Sequence, residues 1–242
     1  MIHFECDYAE GCCQEILDAL SATNLEQTSR YGEDVYCQRA REKIKELCNT
    51  PEAQVFFLSG GTQANLTVIS AALRPHQGVI SPDSGHISVH ETGAIEACGH
   101  KVISLPSKDG KLTVSQIEDC YNSQWNDSSY AHMVQPAMVY ISFPTEGGLL
   151  YTLKELEEIS SVCKKCNLLL FVDGARMGYG LASPANDCSL EDFGRLCDVF
   201  YIGGTKVGAL FGEAVVITNK NLQRDFNYIV KQKGGLLAKG RV

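Results

Sequence analysis

Seven short apolar runs alternate with helical segments along this chain of 242 residues. The runs are bounded by Gly, Pro, Asp or Ser, and the clearest of them, residues 168–172 (LLLFV), is apolar throughout instead of alternating with polar residues. A strand of that kind is covered by helices on both of its faces. The pattern therefore predicts a three-layer α/β/α fold built around a mostly parallel sheet.

The expected strands lie at residues 54–58, 78–81, 101–105, 137–142, 168–172, 199–202 and 214–218. Helices are expected at 14–21, 38–48, 62–72, 90–97, 114–122, 153–166 and 190–196, the last with Ser189 as its N-cap. Residues 122–129 are predicted to form a surface loop, and the segment from 219 onward a helix with no clear stop before Gly234. Residues 1–36 are expected to be an N-terminal arm, and residues 37–242 a single large domain.

The charge balance limits the partners of this chain. Its formal net charge is −8 and it has no long basic cluster, which argues against nucleic acid or an anionic membrane as the main partner. The first residues have no basic region followed by a long apolar run, and no apolar run approaches the length of a membrane span. We therefore expect a cytoplasmic protein that binds a small molecule.

Eleven cysteines are scattered along the chain, and their odd number and lack of a regular framework indicate reduced thiols. Cys163 and Cys166 form a CxxC pair within a predicted helix. Burial in the core is the favoured explanation for this pair, since a second CxxC or a thioredoxin-like strand and loop is missing. No metal site is expected.

Four segments that follow the ends of predicted strands contain side chains that can bind a ligand or take part in catalysis. In the first, residues 59–65 (SGGTQAN), Gly61 and Thr62 open a helix whose free amides suit a phosphate group, although a plain capped turn explains it about as well. In the second, Asp173 ends the most apolar strand and Arg176 follows it. Asp173 then either faces a ligand at the edge of the sheet or caps the next helix.

In the third segment, residues 201–206 (YIGGTK), Lys206 follows a strand and a glycine turn. A lysine in a crevice can lose its proton by desolvation and form an imine with an aldehyde, although surface lysines are far more common. The fourth segment, residues 84–91, contains His86 and His90. Either histidine can stack on a planar ring or act as a base near neutral pH, and the alternative is a polar loop with incidental histidines.

Taken together, these four segments describe a site for pyridoxal 5′-phosphate (PLP). The lysine would form the imine, the aspartate would keep the pyridine nitrogen protonated, and the glycine loop would hold the phosphate. Through residues 59–65, 83–91, 140–148, 171–176 and 198–212, the chain resembles the threonine aldolase and aromatic amino acid β-eliminating lyase family of fold-type I PLP enzymes.

The resemblance implies Lys206 as the imine-forming lysine, Asp173 as the partner of the pyridinium and His86 stacked on the ring. Gly61 and Thr62 would hold the phosphate. Arg176 would lie at the cofactor and bind the substrate carboxylate, which Cys6 would also contact, because it takes the position of a small hydroxyl residue in relatives. His86 or His90 would relay the proton of the substrate hydroxyl.

The expected reaction is cleavage of the Cα–Cβ bond of L-threonine or L-allo-threonine to glycine and acetaldehyde. The alternatives are β-elimination or racemisation on the same scaffold, or a catalytically impaired family member. The resemblance also implies a homodimer or homotetramer, and a small C-terminal domain that we expect to be absent or truncated in this chain.

Overall fold

The computed structural model describes residues 3–241; residues 1, 2 and 242, at the limits of the predicted arm and large domain, lie outside the described residues. Seven strands form one sheet in the order β1-β7-β6-β5-β4-β2-β3. The strands are β1 (Gln54–Leu58), β2 (Gln77–Pro82), β3 (Lys101–Leu105), β4 (Gln135–Ser142), β5 (Leu169–Asp173), β6 (Val199–Gly203) and β7 (Glu213–Ile217). All neighbours are parallel except β7, which runs antiparallel to β1 and β6. The prediction of a mostly parallel sheet is confirmed, and each predicted strand is present.

Eleven α-helices and a short 3-10 helix (Tyr130–His132) connect the strands within residues 3–241. The helices are α1 (Gln14–Thr23), α2 (Val35–Leu47), α3 (Gly61–Ala72), α4 (His86–Val89), α5 (Ala94–Ala97), α6 (Val114–Asn126), α7 (Leu153–Lys165), α8 (Met177–Ala182), α9 (Leu190–Leu196), α10 (Lys220–Gln223) and α11 (Phe226–Gln232). Ser189 caps α9 as predicted, because its hydroxyl accepts from the backbone amide of Asp192. Helix α8 was not predicted.

Three predicted elements are wrong in detail. Of the helix expected at 90–97, only residues 94–97 are helical, as α5. The preceding α4 ends at Val89, and Thr92 and Gly93 between the two helices have φ angles of 53° and 69°. The loop expected at 122–129 begins five residues late, at residue 127, since α6 continues to Asn126. There the Trp125 ring packs against Tyr130 with ring centroids 5.4 Å apart. The helix expected from residue 219 is broken between α10 and α11.

Two hydrophobic clusters cover the two faces of the sheet, as fully apolar strands require. One contains Leu170 and Val172 together with residues of α6, α7 and α9. The other contains Phe171 together with residues of α3, α5 and α11. Successive residues of a strand point to opposite faces, so Asp173 lies on the same face as Phe171 and α3. This placement brings the end of β5 next to the start of α3.

Cys163 and Cys166, the CxxC pair, are buried in the first of these clusters at the end of α7, and burial raises the pKa of both thiols. All eleven cysteines are free thiols. In residues 3–241, helices that combine the length and the apolarity needed to cross a membrane are absent.

Candidate active site

Asp173 occupies the carboxyl end of β5 and is almost completely buried, with 4% of its surface exposed. Its Oδ2 accepts hydrogen bonds from the Tyr140 hydroxyl at 2.5 Å and from the Asn65 side-chain amide at 3.2 Å. Its Oδ1 accepts from the backbone amide of Ala175 at 3.0 Å. Three neutral donors from β4, α3 and the following turn thus hold this carboxylate in one orientation.

His86 begins α4 and belongs to the same network. Its Nδ1 lies 2.8 Å from Oε1 of Glu91, a carboxylate with no exposed side-chain surface. The Asn65 amide donates to that same oxygen at 2.6 Å, which connects His86 to Asp173 through two side chains. The hydrogen bond to Glu91 raises the pKa of His86, and burial opposes this shift.

Lys206 lies just beyond β6, on a turn that a buried glutamate holds. The Glu213 carboxylate accepts from the Gly204 backbone amide at 3.2 Å and from the Thr205 hydroxyl at 3.0 Å. Burial raises the pKa of Glu213 to about 7. The Tyr179 hydroxyl donates to the Lys206 carbonyl at 2.7 Å, so the backbone of the lysine is fixed from α8 as well.

Gly61 and Thr62 form the first turn of α3, as the sequence predicted. The first amides of a helix have no acceptor within the helix, and its dipole favours an anion there. A Cβ atom added at Gly61 would lie 3.1 Å from the Tyr201 hydroxyl, so a larger residue would crowd the side chain of that tyrosine. The start of α3 can therefore bind a phosphate close to the buried end of β6.

The predicted arm reaches this site. The Asp7 carboxylate pairs with the Arg176 guanidinium through both oxygens, with Nη2 to Oδ1 at 3.0 Å, and this pairing lowers the pKa of Asp7. Glu146 lies 3.9 Å from the same guanidinium. The ring of Tyr8 lies 5.6 Å from Nζ of Lys206. Residues at the start of the arm thus cover the two cationic side chains of the site.

Two cavities lie beside these residues. One of about 510 Å³ has Arg176, Glu146 and Tyr179 in its wall. A larger one of about 830 Å³ lies between the arm, β1 and the C-terminal segment, and Gly204 and Glu213 are the site residues in its wall. The candidate site is the edge of the sheet at Asp173, His86 and Lys206, because the predicted functional groups lie at this edge and outside the wall of the larger cavity.

Two of the predicted site residues lie apart from the buried network. His90 is exposed, and its ring centroid is 5.7 Å from that of His86. Cys6 is exposed on the arm, next to the Asp7 that binds Arg176. The structure places both at the rim of the site.

Sequence reasoning did not identify five residues that the structure brings into the site, namely Asp7, Asn65, Glu91, Tyr140 and Glu213. Asn65 could have been found as a polar side chain between Ala64 and Leu66 in α3, since a buried amide needs partners. Tyr140 and Glu213 could have been found as polar groups in buried strands. Glu91 and Asp7 lie in polar segments and give no such signal.

Comparison with known proteins identifies the family. Residues 4–242 match the family model described as beta-eliminating lyase. The chain belongs to the beta-eliminating lyase family. A low specificity L-threonine aldolase of Pseudomonas aeruginosa is 32% identical over 240 residues, which are 98% of this chain and 68% of that protein. The chain therefore spans about two thirds of the length of this relative.

Solved structures in the family's fold agree. A Leishmania major threonine aldolase matches with a TM-score of 0.94 and 50% identity, over 97% of this chain and 68% of that one. Cystalysin from Treponema denticola, whose structure contains a pyridoxal 5′-phosphate cofactor, matches with a TM-score of 0.72 over 94% of this chain and 58% of that one. At 15% identity the second match shows the fold alone. The fold is that of the fold-type I PLP enzymes.

Proposed function

We propose that this chain is a PLP-dependent aldehyde-lyase that cleaves L-threonine or L-allo-threonine to glycine and acetaldehyde. Asp173 is the observation that carries the proposal. This buried carboxylate has three neutral donors, yet none of the ion pairs among residues 3–241 provides it with a cation. Burying a carboxylate without a countercharge is costly. A protonated pyridine ring against Asp173 would supply that charge.

The other residues fit the cofactor as well. The amides of Gly61 and Thr62 at the start of α3 are suited to its phosphate, and the Thr62 hydroxyl adds a donor. His86 is 29% exposed in its side chain, which leaves part of the ring free for contact with a planar ligand. Nζ of Lys206 is the amine available to an aldehyde on the same edge of the sheet.

The cofactor, when bound, supplies an aldehyde that condenses with amino groups and a ring that takes up the electrons of the broken Cα–Cβ bond. Asp173 would hold a proton at the ring nitrogen and so favour this electron uptake. The Arg176 fork is suited to the substrate carboxylate, which would share it with Asp7. Cys6 lies on the arm beside that pair.

A base must take the proton of the β-hydroxyl as acetaldehyde leaves, and a proton must return to Cα to give glycine. We propose His86 for the first transfer, with His90 as the second candidate. The Nδ1 of His86 already faces Glu91, so its Nε2 is the nitrogen that remains for the substrate. The His90 ring, 5.7 Å away and exposed, is less constrained.

Further parts of the proposal concern the cell and the assembly. We propose a cytoplasmic homodimer or homotetramer in which residues 1–36 act as the arm and residues 37–242 as the cofactor-binding domain. Contacts of Asp7 with Arg176 and of Tyr8 with Lys206 support a functional role for the arm. Sedimentation of the PLP-loaded protein measures the assembly.

PLP titration tests the cofactor assignment. We expect a visible absorbance band that borohydride removes, and we expect Lys206→Ala to lack it. Lys231→Ala is the matched control, because Nζ of Lys231 also lies over a tyrosine ring, that of Tyr31 at 4.9 Å, away from the site. Folded protein that binds PLP without such a band, or a band that survives Lys206→Ala, contradicts the assignment.

Product analysis separates the proposed reaction from the alternatives. Aldol cleavage of L-threonine gives glycine and acetaldehyde, whereas β-elimination gives a keto acid and ammonia, and racemisation gives D-threonine. Unchanged L-threonine in the presence of the band would indicate a catalytically impaired family member.

A further inference from the structure

Glu91 is a fully buried carboxylate whose bonded oxygen serves two partners. Its side chain has no exposed surface, and its Oε1 lies 2.8 Å from Nδ1 of His86 and 2.6 Å from the Asn65 amide nitrogen. It follows α4 at the point where the chain turns through Thr92 and Gly93. The turn and the burial leave this carboxylate little freedom to move away from His86.

Asn65 ties this pair to Asp173. Its side-chain nitrogen has two hydrogens and donates to Glu91 at 2.6 Å and to Asp173 at 3.2 Å. Asn65 is itself fully buried in α3. One amide thus fixes the relative positions of the carboxylate behind His86 and the carboxylate at the end of β5.

The second oxygen of Glu91 is left unpaired within residues 3–241, so hydrogen bonding within the core does not by itself explain why a carboxylate is buried at this position. Its Oε2 is buried and has no hydrogen-bond partner among the described residues. A buried polar atom left unpaired lowers stability, and such atoms in folded proteins call for an explanation. The carboxylate is thus present although one of its oxygens is unpaired in the described part of the chain, and its other oxygen is shared by His86 and Asn65.

The charges around His86 are mostly acidic. Glu91 contacts it directly, Asp173 on β5 and Glu146 after β4 favour its protonated form, and the His90 ring lies 5.7 Å away. In this setting Nδ1 is the nitrogen that carries the proton in the neutral ring, because the carboxylate accepts it.

We propose that Glu91 is a positioning residue for His86, which fixes the proton on Nδ1 and presents Nε2 to the ligand. Asn65 extends the same constraint to Asp173. The use of Nε2 in proton transfer rests on the proposed function, whereas the pairing of Glu91 with His86 is a property of the protein without cofactor.

Histidine NMR on the cofactor-free protein tests the pairing directly. The chain has six histidines, so the His86 signals are assigned by their loss in His86→Gln. In the unmodified protein, the ¹⁵N shifts of neutral His86 should show the proton on Nδ1. In Glu91→Gln, the pKa of His86 should fall by roughly one unit, since a neighbouring opposite charge has been removed. Glu96→Gln, an exposed glutamate in the same segment, should leave the titration unchanged.

The outcomes are distinct. A neutral His86 with its proton on Nε2 in the unmodified protein would overturn the proposal even if Glu91→Gln failed to fold. Folded Glu91→Gln with an unchanged His86 titration would overturn it as well.

Kinetics of the PLP-loaded variants provide a second measurement. We expect Glu91→Gln to reduce kcat with little change in KM for threonine, and to move the acidic limb of the pH profile in step with the His86 titration. A purely structural role would lower stability without moving that limb. If NMR supports the pairing but no variant or parent cleaves threonine, the proposed function fails and the positioning role stands.

Discussion

The Tyr140 hydroxyl donates to Oδ2 of Asp173 over 2.5 Å inside the protein, where both side chains are buried. Burial and the adjacent Asp173 charge raise the pKa of Tyr140, so its phenol stays protonated and keeps donating. Neighbouring parallel strands thus supply the carboxylate and one of its donors, with Tyr140 two residues before Ser142, the register partner of Asp173.

Removal of this donor should weaken cofactor binding. Tyr140→Phe leaves Asp173 with one hydrogen bond fewer, and hydrogen bonds to charged groups are worth roughly 1.5–3 kcal/mol. We expect the Kd for PLP, measured by absorbance titration, to rise about 10- to 100-fold. Tyr151→Phe is the control, because that buried hydroxyl bonds the Leu112 amide at 2.7 Å away from the site. Equal PLP affinities of Tyr140→Phe and the parent would contradict the assigned role.

The negative charge of Asp173 should contribute more to kcat for threonine cleavage than the size and shape of its side chain do. Asp173→Asn retains the size of the side chain but removes the charge opposite the proposed ring nitrogen. We expect kcat for threonine cleavage to fall by roughly 100-fold or more. Asp198→Asn removes a carboxylate that only holds the Leu170 amide and the Asn219 side chain, at 2.8 and 2.7 Å. That variant should lose stability and keep its rate, and a similar loss of rate in both would argue against a specific role for Asp173.

Glu213 predicts a pH-dependent stability. Its folded-state pKa of about 7 exceeds the ordinary value of 4.5, so the folded protein binds the proton more tightly than the unfolded chain does. The stability this proton provides is complete below pH 4.5 and is lost as the pH rises to about 7. Relative to Glu213→Gln, the free energy of unfolding of the parent should fall by on the order of 3 kcal/mol across that range. Urea unfolding at a series of pH values measures the difference, and parallel curves for the two proteins would rule out a protonated Glu213.

Gly174 should not tolerate a side chain. A Cβ atom there would lie 1.9 Å from the Tyr201 carbonyl oxygen, a backbone atom that cannot move aside. We expect Gly174→Ala to destabilise the protein by about 3 kcal/mol or more. Gly11→Ala has nothing within 4 Å of the new atom and should change stability by less than about 0.5 kcal/mol. Thermal unfolding compares the two, and similar melting temperatures would show that the β5 and β6 ends are farther apart than described.

The strands of the sheet were predicted well because each is buried, and a buried strand shows as an apolar run within its own few residues. The same signal singled out Asp173, which directly follows such a run, and Lys206, which follows another run after a glycine turn. The pairing of Glu91 with His86 and Asn65 could not be predicted, because it depends on how α3 and α4 pack together. The break between α4 and α5 had a local signal in Gly93, whereas the left-handed backbone of Thr92 beside it could not be predicted from the residue type.

Glu213 was missed for a topological reason. Rules that search the carboxyl ends of parallel strands pass over β7, which is antiparallel and brings its first residue to the ligand edge. The direction of a strand is set by the chain's connections, which single-strand patterns do not encode.

The pairing of β1 with β7 also has a consequence for biosynthesis. Gln54 of β1 lies opposite Ile217 of β7, and β7 is the strand that joins β1 to the rest of the sheet. During synthesis, β1 therefore cannot join the sheet until β7 has left the ribosome, when nearly all of the described residues have been made. Until then, β1 and the glycine turn at the start of α3 lack their final contacts. Contacts between residues so distant along the chain form slowly, and until they form the exposed apolar strands can pair incorrectly or aggregate. We expect this edge of the sheet to depend most on chaperones during synthesis.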